Sequence, residues 1–169
     1  MTEAIEIRPA DPSWRAAFAQ VAGELATALG PEARIEHVGS TAVPGLAAKP
    51  VIDILVGMAQ PADVSRDVPE LVRLRFAAGE TWKPDHPSAF FSRPAARDMP
   101  AINVHLTVVG SRQWRDLIQF RTALQRDARL GGRYEALKRR LAGTSRGDLD
   151  AYTAGKAAFV AEVLEAAHG

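Results

Sequence analysis

The chain has 169 residues, 47% of them hydrophobic, which is enough to bury one substantial core, and we expect a single domain over residues 1–169. The 21 Lys and Arg residues balance 20 Asp and Glu residues, so the charge argues against nucleic acid and anionic membranes as partners. Without cysteine, disulfides and thiolate zinc sites are excluded, and without a signal peptide or membrane-spanning apolar run we expect a cytoplasmic protein.

The first half of the chain predicts two helices and two strands. A helix begins at Asp11 and ends at Gly30, because its apolar residues recur at three- and four-residue spacing. A short strand is predicted over 34–38. The nearly all-apolar segment 51–56 is typical of a central strand covered on both faces, and a second helix is predicted over 63–77.

The second half predicts one strand and a helical end. Residues 79–100 are rich in Pro, Asp, Arg and Ser and indicate a loop or hairpin. In "INVHLTVV" apolar residues alternate with a polar face formed by Asn103, His105 and Thr107. The last third predicts helices at about 111–130, 133–142 and 148–167, with a break at Gly131-Gly132. This order of elements predicts an α+β fold with a small mixed sheet.

The stretch "HVGSTAVPGLAAKPVIDILV", residues 37–56, contains the strongest candidate site. It is not a Walker A phosphate loop, since three residues separate Gly45 from Lys49 and Pro50 follows. Instead, Gly39 allows close backbone approach and Ser40 offers a hydroxyl at the start of a short helix, which favours phosphate. Asp53, on the next strand, can hold a metal ion against that phosphate.

This arrangement resembles the nucleotidyltransferase superfamily related to DNA polymerase beta, whose pattern is Gly-Ser, a spacer, and Asp-apolar-Asp or Glu. More narrowly, "IEHVGSTAVPGLAAKPVIDILV" and the later "HLTVV", "FRTAL", "YEALK" and "AYTAGKAAFV" resemble the GrpB family over nearly the whole chain. The resemblance implies a nucleotidyltransferase-like sheet flanked by helices, with a helical C-terminal third. It also implies fusion to dephospho-CoA kinase in some relatives, and it implies no established reaction.

The expected second carboxylate is missing from this pattern. Leu55 stands two residues after Asp53, and the polar face of the later strand offers no acid. Two-metal nucleotidyl transfer is therefore disfavoured. Two alternatives remain open: one metal ion such as zinc or manganese held by Asp53 and His105, or acid–base chemistry by His105 with Asp53 orienting it.

We assign candidate roles to seven residues. Asp53 and His105 are the catalytic candidates, and Asp53, His105 and Glu36 are the candidate ligands of a divalent metal ion (Mg, Mn or Zn). The candidate phosphate-binding residues are Gly39, Ser40, Thr41 and Lys49.

Each of these candidates has a structural alternative. Gly39 and Ser40 could form an ordinary turn, and Thr41 could simply start a helix. Asp53 could pair with Lys49 or an arginine, and Lys49 with Glu36.

Two Tyr-x-x-x-Lys spacings occur in the helical third, at Tyr134/Lys138 and Tyr152/Lys156. Short-chain dehydrogenases use this spacing, but no glycine-rich dinucleotide loop accompanies it, so we interpret the match as chance. These residues are predicted to pack the helices on the sheet, while their lysines or Arg121 could face a phosphorylated ligand.

The leading hypothesis is a nucleotidyltransferase-like protein that binds a nucleotide or another phosphorylated small molecule and transfers a nucleotidyl or phosphoryl group with a metal ion. The second is a catalytically degenerate ligand-binding or partner module linked to coenzyme A synthesis. A role on RNA ends is weaker, because the neutral charge supplies little attraction for phosphate.

Overall fold

The computed structural model describes residues 4–79 and 88–168. The helices are α1 (Ser13–Leu29), α2 (Pro61–Arg73), α3 (Arg112–Arg126), α4 (Ala128–Thr144) and α5 (Leu149–His168). The strands are β1 (Arg34–Val38), β2 (Val51–Met58), β3 (Ala77–Ala78), β4 (Ser88–Arg93) and β5 (Ala101–Val108), and a 3₁₀ helix covers Ser40–Ala42. In the described part of the chain, no helix is long and apolar enough to cross a membrane.

The five strands form one mixed sheet in the order β1-β2-β5-β4-β3. Strands β2 and β5 are parallel, and the other three pairings are antiparallel. The predicted α+β fold with a mixed sheet and a helical C-terminal third is confirmed. In the parallel register Asp53 lies opposite Asn103, and Leu55 lies opposite His105, so polar residues of the two strands share one face.

The two faces of the sheet pack against different helices. On one face Ile52, Ile54 and Val104 are fully buried in a core that includes Val21 and Leu25 of α1. Burying such side chains stabilises the fold by about 1.5–3 kcal/mol each. The other face carries Val38 and Leu55 under Trp114 of α3, next to the polar candidates. Strand β2 is thus covered on both sides, as its apolar sequence predicts.

The helical third differs from prediction at one point. The predicted break at Gly131-Gly132 was wrong, because α4 continues through both glycines. The break lies instead at Asp127, whose side chain accepts hydrogen bonds from the backbone N–H groups of Arg129 and Leu130 and so caps α4. This cap offsets part of the cost of two glycines within one helix.

The segment predicted as a loop or hairpin contains strand β4, which pairs antiparallel with β5. Phe91 is fully buried, whereas Phe90 lies opposite His105 on the polar face. Residues 80–87 of that segment lie outside the described residues. Strand β4 also pairs antiparallel with β3, which agrees with the hairpin alternative, and β4 is the strand next to the candidate site.

Candidate functional site

Asp53 and His105 are neighbours on the parallel strands β2 and β5. The Asp53 Oδ1 atom accepts a hydrogen bond from Asn103 Nδ2 at 3.1 Å and lies 3.6 Å from His105 Nε2. The side chains of Asp53 and His105 are 29% and 21% exposed, so both are accessible from solvent. On the far side of His105, the Phe90 ring lies with its centroid 5.3 Å from the imidazole. The structure therefore brings the two catalytic candidates together, with Asn103 holding the carboxylate.

Gly39 places the turn after β1 directly against this carboxylate. Its backbone has φ 72° and ψ −172°, a conformation open essentially to glycine alone. A Cβ atom at Gly39 would lie 2.6 Å from Asp53 Oδ2, so a side chain would collide with the acid. Glycine is thus required both for the turn and for its closeness to Asp53. Ser40 follows, and its side chain lies close enough to the Tyr134 hydroxyl to hydrogen bond with it.

Thr41 serves the turn rather than the space above Asp53. Its hydroxyl donates to the Val51 carbonyl at 3.2 Å and lies 3.0 Å from His37 Nε2. The 3₁₀ helix that begins at Ser40 has only three residues, too few to produce the dipole by which the start of a longer helix attracts phosphate. Any anion bound here would be held by local N–H and hydroxyl groups and by nearby cations.

Glu36 lies on the same face of the sheet as Asp53, two residues before Val38, which pairs with Asp53, but it is engaged elsewhere. Arg121 donates through Nη1 to Glu36 Oε2 at 2.7 Å and to the His37 carbonyl, also at 2.7 Å. Glu36 and Arg121 do not line the cleft described below. The structure therefore does not bring Glu36 together with Asp53, and it occupies Arg121 with a structural contact.

His37 points to the opposite face of the sheet. Its ring stacks on Phe18 of α1 with centroids 4.6 Å apart. Burial lowers the pKa of His37 to about 4, although the Asp53 charge acts in the opposite direction. His37 is therefore a neutral imidazole that is hydrogen-bonded to Thr41 and packed on α1, away from the face that carries Asp53.

A cleft of about 1310 Å³ opens between this face of the sheet and the helices α3, α4 and α5. The sheet side contributes Gly39, Ser40, Lys49, Asp53, Asn103 and His105. The helical side contributes Tyr134 and Lys138 of α4 and Tyr152 and Lys156 of α5. The cleft therefore brings the carboxylate of Asp53 together with three lysines, and Asp116 of α3 and Glu165 of α5 also line it. Its volume exceeds the roughly 300–1,000 Å³ of common ligand pockets.

Lys138 fixes one edge of this cleft. Its Nζ donates to the Ala47 carbonyl at 2.5 Å, and the neighbouring Glu135 accepts a hydrogen bond from the Ala47 N–H at 3.2 Å. The Lys138 side chain is almost completely buried, and this burial lowers its pKa to about 8. Helix α4 thus holds both polar groups of Ala47 and positions the segment that carries Lys49.

The sequence shows the two Tyr-x-x-x-Lys spacings without revealing that their residues line the candidate site. Tyr134 does pack the helical third, since it contacts Phe120 and Phe159 of the same apolar cluster, and Tyr152 is buried. Both lysines nevertheless face the cleft. Side chains four residues apart share one helix face, which was the available signal, but only the packing of helices on the sheet shows which way that face points.

The donor set fits one divalent ion better than two. Among residues 4–79 and 88–168, no three His, Cys, Asp or Glu side chains form a group that could hold a metal ion. Leu55, at the position of the missing acid, is fully buried beside Val38 and Trp114. Asp53 with the Nε2 atom of His105 could hold a single ion whose remaining ligands are water and ligand phosphate oxygens.

Comparisons of sequence and of structure with known proteins point to the same family. The sequence model of the GrpB protein family matches residues 4–166. A UPF0157 protein of Deinococcus radiodurans is 38% identical over 98% of this chain and 84% of its own length. The crystal structure of the conserved protein GrpB from Enterococcus faecalis superimposes with a TM-score of 0.81, at 26% identity and 96% coverage of each chain.

Two further similarities extend beyond these relatives. A structure of the Cid1 poly(U) polymerase with Mg and 3′-dATP bound matches with a TM-score of 0.55 at 15% identity, covering 88% of this chain and 49% of that one. At that identity the match shows a shared fold. A dephospho-CoA kinase of Mycolicibacterium paratuberculosis is 33% identical over 90% of this chain, which corresponds to only 43% of the kinase.

Proposed function

The chain belongs to the GrpB protein family and has a nucleotidyltransferase-like fold, and from this premise we propose that it binds a nucleotide or another phosphorylated small molecule between Ser40, Asp53 and His105. The proposed reaction is metal-assisted transfer of a nucleotidyl or phosphoryl group. One observation carries the proposal: Asp53 and His105 lie side by side under the Gly39 turn, on the wall of a cleft that also contains lysines.

Each residue has a role that follows from its chemistry. The Ser40 hydroxyl donates to a phosphate oxygen, and Lys49 balances the charge of the phosphate. Asp53 would hold a divalent ion, and such an ion would supply positive charge to neutralise the phosphate and polarise its phosphorus atom. Asn103, by donating to Asp53 Oδ1, keeps the carboxylate oriented toward the cleft.

His105 has two roles open to it. Its Nε2 atom can bind the same ion as Asp53, or it can take the proton of the attacking group while the nearby carboxylate stabilises the imidazolium. A metal ligand role predicts that His105→Gln weakens zinc or manganese binding. A proton-transfer role predicts that metal binding persists while the pH dependence of the rate changes.

Calorimetry with matched variants tests the proposal. A nucleoside triphosphate is titrated into the protein with and without Mn²⁺, and the metal-dependent part of the binding is expected to disappear in Asp53→Asn. Asp116→Asn is the control, because Asp116 also lines the cleft but lies on α3 beside Arg112, away from the Asn103 amide. Binding that is equally strong and equally metal-dependent in Asp53→Asn would remove the proposal.

A second candidate function is favoured by the buried Leu55 and by the shared domain in a dephospho-CoA kinase. In this reading the cleft binds a ligand without turning it over, and the protein acts as a partner module linked to coenzyme A synthesis. It predicts nucleotide binding by wild type with no product by phosphorus NMR under any of the metals Mg, Mn and Zn. It also predicts a stable complex with a dephospho-CoA kinase from the same organism.

A further inference from the structure

The two lysines on the wall of the cleft opposite Asp53 are held in different ways. Lys138 is engaged with the Ala47 carbonyl, whereas the Lys156 Nζ atom stands 4.4 Å from the centre of the Tyr152 ring. Within the described residues, no ion pair joins Lys156 to a carboxylate. Its ammonium group is therefore held by an aromatic face and directed into the cleft, where it remains open to a ligand.

Two charges from other parts of the chain, those of Asp53 and Lys49, act on this ammonium group. Burial lowers the pKa of Lys156, the charge of Asp53 raises it, and the charge of Lys49 lowers it. Lys156 on α5 and Lys49 before β2 thus repel one another across a partly desolvated space, while Asp53 attracts Lys156. The charge of Lys156 also lowers the pKa of Lys138, so the two lysines of the helical side repel one another as well. An anion placed between Lys156 and Lys49 would replace their repulsion by two attractions.

We infer that Lys156 and Lys49 form a second anion subsite on the helical side of the cleft, so that the ligand carries two linked anionic groups, as in a diphosphate. This inference rests on the proposed function. The first group would lie at Ser40 and Asp53 on the sheet, and the second between the two lysines. Because the subsite joins α5 to the segment before β2, a ligand bound there would connect the helical third to the sheet.

The subsite also predicts proton uptake on binding. An anion next to Lys156 favours its charged form, so the pKa of Lys156 rises when the ligand binds. Because burial lowers the pKa of Lys156 in the free protein, titrations at pH 9 should show that the protein takes up protons as the ligand binds. Attraction between the ligand and exposed lysines would not cause proton uptake, because exposed lysines are already protonated at pH 9.

Pyrophosphate and orthophosphate are the probes for this subsite. Calorimetry of the full chain should show that Lys156→Gln weakens pyrophosphate binding by about tenfold or more, and that Lys156→Arg restores most of it. Arg140→Gln is the control, because it removes one positive charge from an exposed position of α4 that does not line the cleft. Titrations at pH 9 in two buffers of different ionisation enthalpy should show proton uptake in wild type that Lys156→Gln reduces.

The outcomes separate this inference from the proposed function. The subsite would be overturned if pyrophosphate binding and proton uptake are unchanged in Lys156→Gln. The proposed function would still stand in that case if Asp53→Asn loses metal-dependent nucleotide binding. An equal loss of orthophosphate and pyrophosphate affinity in Lys156→Gln would also overturn it, because a second subsite should act on the longer anion. The melting temperature of each variant shows whether it folds. Binding that is restored in Lys156→Arg shows that the loss in Lys156→Gln comes from the missing charge and not from a failure to fold.

Discussion

Gly39→Ala is expected to destabilise the fold more than the matched change Gly30→Ala. The two glycines have nearly the same backbone conformation, with φ 72° and ψ −172° at Gly39 and φ 84° and ψ −179° at Gly30. Placing a residue with a Cβ there costs about 1–3 kcal/mol in either case. The comparison therefore cancels the backbone penalty and leaves the difference in surroundings.

The surroundings differ sharply. At Gly30 a Cβ would meet nothing within 4 Å, whereas at Gly39 it would lie 2.6 Å from Asp53 Oδ2 and 3.1 Å from Asp53 Cβ. Such overpacking typically costs a further 1–3 kcal/mol, so the total for Gly39→Ala is about 2–6 kcal/mol. Urea unfolding at pH 7 measures both variants, with similar m values confirming a common mechanism.

A double-mutant cycle identifies the cause of the difference. In an Asp53→Ala background the 2.6 Å contact with Oδ2 no longer exists, so part of the excess cost of Gly39→Ala should disappear. The expected coupling is about 1 kcal/mol, and Gly30→Ala should be additive with Asp53→Ala. A Gly39→Ala cost no larger than that of Gly30→Ala, or an excess that survives unchanged in Asp53→Ala, would refute close contact between the turn and the acid.

The structure also fixes the direction in which two other changes, a drop in pH and the substitution Leu55→Asp, affect stability. Folding lowers the pKa of His37 from 6.5 to about 4, so between these pH values the unfolded chain binds more protons than the folded one. The free energy of unfolding should therefore fall by about 2 kcal/mol as pH drops from 7 to 4.5. Urea unfolding of His37→Phe should show a smaller fall than wild type, and identical pH dependence of stability in the two proteins would contradict the assignment. Leu55→Asp restores the missing carboxylate of the pattern but places it in a fully buried site, so it should cost at least about 3 kcal/mol without improving metal binding. A stable Leu55→Asp protein with tighter Mn²⁺ binding in calorimetry would show that this position opens to the cleft.

The parts of the site that the sequence predicts are those encoded by local pattern. Alternation in β5 places His105 on a polar face, and the apolar run of β2 makes Asp53 an isolated acid that needs a partner. The same period of two residues predicts that Leu55 shares a face with Asp53. Parallel pairing of β2 with β5 then brings acid and imidazole together.

The parts that sequence reasoning could not supply depend on contacts between distant segments. Glu36 was a candidate metal ligand, but the partner that engages it, Arg121, is 85 residues away on α3. Likewise, Lys138 reaches Ala47 across 91 residues, and nothing in the local pattern of α4 indicates it. The choice of Asp127 over the glycine pair as the helix boundary depends on a capping side chain that competes with backbone propensity.

The position of a paramagnetic metal ion tests the central claim most directly. With a nucleoside triphosphate present, substoichiometric Mn²⁺ should broaden the backbone amide NMR signals of Ser40, Asp53 and His105 first. The signal of Val72, which is exposed on α2 behind the sheet, should stay sharp. In Asp53→Asn this selective broadening should vanish. Broadening that centres on another part of the chain, or that is unchanged in Asp53→Asn, would contradict a ligand site at this carboxylate.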